Sequence, residues 1–531
     1  MKRYTGIIAS AVLSVGSAAL QEPSAHGAAA QVTPINVTVA VDVSAPGPVI
    51  DRHVYGQFAE HLGTGIYGGI WVGTQSTIPN TGGYRKDVLD ALRRIKVPVV
   101  RWPGGCFADL YNWRDGIGPP ATRPVRINVH WGGVTESNAF GTHEFLNFSE
   151  LLGADAYVSG NVGSMTPYDT AQWLEYMTAD SQSSLANERR KNGRDQPWQI
   201  KYFGIGNETW GCGGNMRAEY AADINRRYST FANAPADMHM VKVASGPTGS
   251  RPDTYDFAEA MMRDGGRLQA MSLHYYTAPM LPGADGARVR AAATGFDENQ
   301  WAMTLSLALH MDELVTKTSA VMDRYDPDKK VILAVDEWGS WYAQEPGSHP
   351  GFLYQQNTLR DAEVAALTLD IFHRHTDRVK LAAIAQMVNV LQAMILTDKD
   401  RMIRTPTYHV YRMYVPFQDA RLVPITFDAG SYVYGNISLP RVDAIAARAK
   451  NGKLWLALTN VDPNRTVKVE VMAAGVKQAA GQMLSSPKVD SVNTFESPAT
   501  VAPEPLVERS SGGKVILKLL PHSVTVVALE S

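Results

Sequence analysis

The chain has 531 residues, 45% of them hydrophobic and 19% charged, with a formal net charge of -2. Such a composition fills a large buried core, and the length calls for more than one domain. Near-neutrality removes any bulk attraction to nucleic acid or to an anionic membrane surface, and no Lys/Arg cluster stands in for it.

Residues 1–30 begin with a basic start, continue through an apolar stretch from Gly6 to Leu20, and end in small residues suited to cleavage, the pattern of an export signal. The stretch is too short to span a bilayer, and no later segment is apolar enough. The expectation is a mature chain without a membrane anchor, periplasmic or secreted. Residues 31–50 contain "INVTVAVDVSA", whose alternation of apolar and polar residues predicts a half-buried strand.

From 51 to 415, short apolar runs alternate with helical periodicity, as in 85–96 and 170–180. The runs fall at 53–61, 97–103, 155–161, 201–208, 241–247, 270–276, 330–338 and 381–390. Eight strands with helical crossovers predict a (β/α)8 TIM barrel. The segment 345–360 reads as a mobile loop near its mouth. Residues 416–531 carry strands and turns with no helical pattern, predicting an antiparallel β-sandwich. The strand in 31–50 has no place in the barrel and is expected to join that sandwich. The fold class is therefore α/β, a barrel followed by a sandwich that an N-terminal strand completes.

A barrel strand is enclosed on both faces, so polar residues at its C-terminal end point to a site built from the following loops. They gather there: Glu60-His61, Arg101, Asn161, Asn207-Glu208, His274-Tyr275-Tyr276, Asp336-Glu337, and Gln386 with Asn389. Singly each could cap or pair with a neighbour; together they predict a convergent polar pocket. Glu208 and Glu337, at the ends of strands four and seven, suit glycoside hydrolysis, where one carboxyl holds a proton and the other is ionised. No HExxH, paired CxxC or phosphate-binding glycine loop occurs, so neither a metal nor a cofactor is expected. Cys106 and Cys212 lack a histidine spaced to activate a thiol nucleophile.

The segments "GQFAEHLG" (56–63), "RWPGGCFADLYNWRDGIGP" (101–119), "GNETWGCGGNM" (206–216), "DEWGSWY" (336–342) and the late "LPHSVTVVAL" resemble the family 51 glycoside hydrolases, the α-L-arabinofuranosidases. The resemblance runs from about residue 36 to the C-terminus. It implies a retaining double displacement on a barrel with a jelly-roll sandwich, Glu208 as general acid/base and Glu337 as nucleophile. It further implies sugar contacts by Glu60, Asn207, Trp341 and Gln386, with Arg101, His274 and Tyr276 around the nucleophile. Cys106 stands where some members carry asparagine, so it is expected to shape the subsite wall. Both cysteines should lie at the barrel mouth, as two free thiols, with a disulfide the alternative. The implied partner is an arabinofuranosyl-containing polysaccharide or oligosaccharide, and the implied assembly a homotrimer or hexamer. An endo-acting glucanase or xylanase, and a binding protein without catalysis, are the competing readings.

Overall fold

The computed structural model describes residues 35–531 apart from 46 and 284; the predicted leader lies outside them. Eight strands close into a barrel: β1 (Gly56–Phe58), β2 (Val99–Trp102), β3 (Asp155–Gly160), β4 (Tyr202–Ile205), β5 (Val241–Ala244), β6 (Ala270–Thr277), β7 (Ile332–Ser340) and β8 (Val379–Ala385). Every neighbouring pair is parallel, and β8 returns to β1. Each predicted run holds one strand. The first is the shortest, because Arg52–Tyr55 wind into a 3-10 turn capped by the Asp51 side chain, which accepts the His53 N–H.

Side chains two apart on a strand share a face, and this alternation layers the barrel interior. Val99, Tyr157, Tyr202, Val243, Ala270, Ala334 and Leu381 form one apolar cluster. Two residues beyond Val99 on the same face comes Arg101, the first of the polar side chains at the mouth. The helices predicted over 85–96 and 170–180 appear as Lys86–Arg94 and Pro167–Thr178. The first buries Val88, Leu89, Ala91 and Leu92 on one face, and the second starts on a Thr166/Asp169 capping box with proline in its first turn.

The sandwich packs a four-stranded sheet on a six-stranded one. Ile35–Val41 lies inside the smaller sheet, parallel and in register with Val467–Ala473 and antiparallel to Ile425–Phe427. Val37, Val39 and Val41 point inward against Leu456, Leu458, Val469 and Leu517, as the alternation requires. The larger sheet is covered on both faces. Ala444, Ala446 and Leu456 meet the smaller sheet, while Ile445, Ala447 and Ala457 join the barrel's core. Double burial erases alternation, which is why Val442–Arg448 does not stand out in the sequence. Within the predicted sandwich, "SYVYGNISL" instead folds into a separate hairpin, Ser431–Tyr434 with Ile437–Pro440, outside both sheets. Tyr432 and Leu439 pack there on Trp301 and Leu305 of the helix Glu298–Asp323. No helix among the described residues is long and apolar enough to cross a membrane.

Candidate active site

Most of the polar residues predicted at the strand ends, with Trp341, fall into two groups, while Tyr275 turns outward to donate to the Leu307 carbonyl. Glu60, Arg101, Asn207, Glu208, His274, Tyr276, Glu337, Trp341 and Gln386 gather at one end of the barrel. His61, Asn161 and Asn389 serve the scaffold instead. His61 bonds Glu136 and accepts the Trp102 indole N–H; Asn161 ties Tyr111 to the turn at Ser164; Asn389 braces Thr397.

Adjacent residues of a regular strand point to opposite faces, yet Asp336 and Glu337 both meet Arg101 inside the barrel. Register shifts on both sides of β7 account for this, one between Ser272 and His274 and another between Val335 and Trp338. They set His274 directly opposite Glu337. Arg101 Nη1 donates to Glu337 Oε2 at 2.9 Å, and Nη2 donates to Asn207 Oδ1. Tyr276 donates its hydroxyl to Glu337 Oε1 at 2.8 Å. Glu337 thus receives two donors and is 7% exposed.

Glu208 sits at φ +43°, a left-handed conformation that costs a glutamate about 1–3 kcal/mol. The turn after it holds the backbone there, since the N–H groups of Gly211 and Gly213 both donate to its carbonyl. Only glycine fits at 213, where a Cβ would lie 1.9 Å from the Asn207 carbonyl oxygen. Burial and the nearby Glu337 charge push the Glu208 carboxyl up; His274 and Arg101 partly offset this. His274 bonds Glu208 Oε1 through Nδ1 at 2.9 Å, with Glu337 Oε2 at 3.4 Å and Asp336 Oδ1 at 3.3 Å from Nε2. Burial opposes its charge, but Glu337, Asp336 and Glu208 raise it to about 10. His274 thus lies between the two glutamates, with its charged form favoured by the three carboxyls around it. One oxygen of each glutamate and a ring nitrogen of His274 all lie within 4.8 Å of one another. Asp336 works against its own burial through Arg101, His274 and the Tyr157 hydroxyl, and is held below the usual carboxylate range.

Glu60 is clasped from three sides by donors: the Phe107 N–H at 3.1 Å, the Trp131 indole at 2.9 Å and Gln386 Nε2 at 2.9 Å. Burial and the Glu337 charge raise it to about 7 all the same. Gly104 permits this closeness, since a Cβ there would lie 2.8 Å from the Glu60 carboxylate. Asp109 accepts the N–H groups of Asn207, Val162 and Gly163, joining the loops after β2, β3 and β4.

The cysteines correct an expectation. Cys106 and Cys212 are not free thiols but a disulfide, their Cα atoms 5.5 Å apart. The backbone brings them together. Phe107 is tied to Glu60 next to Cys106, and the glycine turn after Glu208 folds Cys212 back over the same wall. Cys106 lines a cavity of about 230 Å³ with Glu60, Glu208, Glu337, Trp341 and Gln386. Trp131, Trp210, Arg251 and Arg290 line it too and were missed in sequence. All four lie outside the barrel strands; Trp131 followed by two glycines was the readable trace.

A buried pair of carboxyls, one pushed toward its neutral form and one surrounded by donors, over a small cavity is suited to acid-assisted displacement at a sugar carbon. Comparison with known proteins bears on which sugar. Residues 91–282 match the model of the α-L-arabinofuranosidase 1 domain and residues 336–523 that of the α-L-arabinofuranosidase C-terminal domain. An intracellular exo-α-L-arabinofuranosidase from Bacteroides ovatus is 47% identical over 93% of this chain and 96% of its own. The family 51 arabinofuranosidase of Xanthomonas axonopodis pv. citri superposes with a TM-score of 0.90 at 54% identity, covering 93% of this chain and 100% of that one. An α-L-arabinofuranosidase from Thermotoga maritima, solved with arabinose, gives 0.82 at 31% identity with 93% and 100% covered. The Bacteroides relative overturns the expected export: a protein this similar along almost its whole length is described as intracellular, whereas the leader pattern falls outside the described residues. Fold, site and relatives agree that the chain belongs to the family 51 glycoside hydrolases and is an α-L-arabinofuranosidase.

Proposed function

We propose that the enzyme releases terminal α-L-arabinofuranosyl residues by a retaining double displacement. The observation that carries this reading is the closeness of the carboxylate oxygens of Glu208 and Glu337, within 4.8 Å. That spacing favours direct attack and leaves no room for the water that an inverting enzyme holds between its carboxyls.

In the first step a Glu337 oxygen attacks the anomeric carbon as the bond to the glycosidic oxygen breaks, and Glu208 delivers its proton to that oxygen. The products are a glycosyl ester on Glu337 and a free alcohol. In the second, Glu208, now ionised, takes a proton from water. The water oxygen attacks the anomeric carbon, and Glu337 leaves as carboxylate. Arg101 and Tyr276 hold Glu337 in one orientation through both steps, and Glu60, fixed by Trp131 and Gln386, is placed to accept sugar hydroxyls.

A cavity of about 230 Å³ lies below the ~300–1,000 Å³ of drug-sized pockets. This supports an exo-acting enzyme that encloses one terminal sugar over an endo-acting cleft. The intracellular place of the Bacteroides relative favours oligosaccharides small enough to enter a cell over intact arabinan or arabinoxylan. The test is a panel of 4-nitrophenyl α-L-arabinofuranoside, 4-nitrophenyl β-D-xyloside and β-glucan, with the first-formed anomer followed by NMR. Arabinofuranoside cleavage releasing the α-anomer first is expected. Release of the β-anomer first would end the retaining reading, and preference for glucan the exo reading.

His274 gives a second expected outcome. Its positive charge lowers the Glu208 pKa against the larger effects of burial and Glu337, so His274→Asn should raise that pKa. The alkaline limb of kcat/KM, where the acid loses its proton, should then move to higher pH. An unmoved limb would mean that His274 has a packing role only.

A further inference from the structure

The cationic side chains of the active site each face a carboxylate, with one exception. Arg101 faces Asp336 and Glu337, His274 lies between Asp336 and the two glutamates, and Arg251 at the rim is bound to Asp253 through both Nε and Nη2 at 2.8 and 3.0 Å. Arg290 has no such partner. It ends the strand Arg288–Arg290 of a hairpin beside the mouth, is half-buried, and lines the same cavity as Glu208 and Glu337. Its guanidinium makes no hydrogen bond or ion pair among the described residues. It is fixed from one side only, its Cζ lying 4.1 Å from the Trp341 ring centroid. Stacking on an indole holds the guanidinium plane still while leaving its N–H edges unused. Burial weighs against its charge and no carboxylate offsets it.

A route of contacts places Arg290 relative to the reaction. Glu337 holds Tyr276, Tyr276 meets Trp341 edge to face at 4.9 Å, and Trp341 carries Arg290. Glu60, Gln386 and Glu337 are 2%, 2% and 7% exposed and form the closed end of the cavity. Trp341 and Arg290 are only half-buried and so lie on the solvent side of these three, the side by which a leaving group departs if the terminal sugar fills the buried end. A planar fork of donors without an acceptor matches a carboxylate better than it matches a neutral hydroxyl.

We propose that Arg290 recognises a carboxylate on the group to which the arabinofuranosyl unit is attached, so that the enzyme selects uronate-bearing or otherwise acidic oligosaccharides. This rests on the reading of the cavity as an arabinofuranosyl pocket with the leaving group at its mouth. The test compares 3-carboxyphenyl and 3-carbamoylphenyl α-L-arabinofuranosides, which share size and nearly share leaving ability. At low ionic strength the full-length enzyme is expected to show a kcat/KM about fivefold to tenfold higher for the carboxylate, falling as salt is added. Arg290→Ala and Arg290→Gln should bring the two substrates to within about twofold of each other, and Arg290→Lys should keep part of the preference. The ratio is taken within one protein sample, so the fraction of each variant that folds does not affect it. Equal kcat/KM values in the unmodified enzyme, or a preference that survives Arg290→Ala, would overturn the proposal. Failure to cleave either compound would instead remove the arabinofuranosyl pocket on which it rests.

Discussion

Glu337→Gly should lose about 10⁴-fold or more of kcat on 4-nitrophenyl α-L-arabinofuranoside, and azide should restore part of the turnover. The product of rescue is expected to be β-L-arabinofuranosyl azide, inverted at the anomeric carbon. Removing the side chain leaves a space between Arg101 Nη1 and the Tyr276 hydroxyl, the two donors that had been directed at Glu337. A small anion is drawn into that space by the same guanidinium and attacks once. No carboxylate remains to carry out the second inversion. NMR of the azide adduct reads the stereochemistry directly. An adduct of retained configuration, or none at all in a folded protein, would assign the nucleophile elsewhere.

Glu208→Ala should divide substrates by their leaving groups. With an alkyl or sugar leaving group, loss of the proton donor should cost about 10²–10⁴-fold in kcat/KM. With 2,4-dinitrophenol the first step needs no protonation, so the loss should be far smaller, and deglycosylation should become limiting. A glycosyl ester on Glu337 would then accumulate and appear by mass spectrometry. Azide should relieve this step too, but here it enters from the face that Glu208 occupied and gives a product of retained configuration. The two variants thus differ in the sign of the stereochemical outcome as well as in rate. Equal losses on every leaving group would contradict the acid role. Glu208 also holds an unfavourable backbone conformation at φ +43°. The alanine variant should keep that geometry, because it is imposed by bonds to the Glu208 carbonyl rather than by the side chain.

The barrel was legible in the sequence because its strands are apolar runs that end in polar residues, two properties that survive without an alignment. Glu208 and Glu337 were visible for the same reason, and the structure brings them together with His274. Features that depend on geometry across elements were hidden. Nothing local shows that Asp336 and Glu337 both turn inward, since that follows from register shifts against β6 and β8. Trp131 reaches Glu60 from a loop 71 residues away, a distance no periodicity spans. The cysteines gave the opposite lesson. They were expected as free thiols because a large core needs no covalent link to fold, and the link that forms joins two loops of the site rather than two parts of the core. The leader pattern misled for a different reason: it is a statement about transport, which the packing of residues 35–531 does not encode.

Among the described residues, the strand Ile35–Val41 finds its neighbours in Ile425–Phe427 and Val467–Ala473. A growing chain delivers its residues in order, so this strand leaves the ribosome before the barrel and must wait while the entire barrel sequence is made. During that interval it presents valines and an unpaired edge to whatever it meets. The sandwich is therefore the last part of the molecule to close, and it closes on both ends of the chain at once. A fragment beginning after residue 50 would retain every side chain of the pocket yet leave a gap in the middle of the smaller sheet, and so would be exposed to edge-to-edge association before it lost any chemistry.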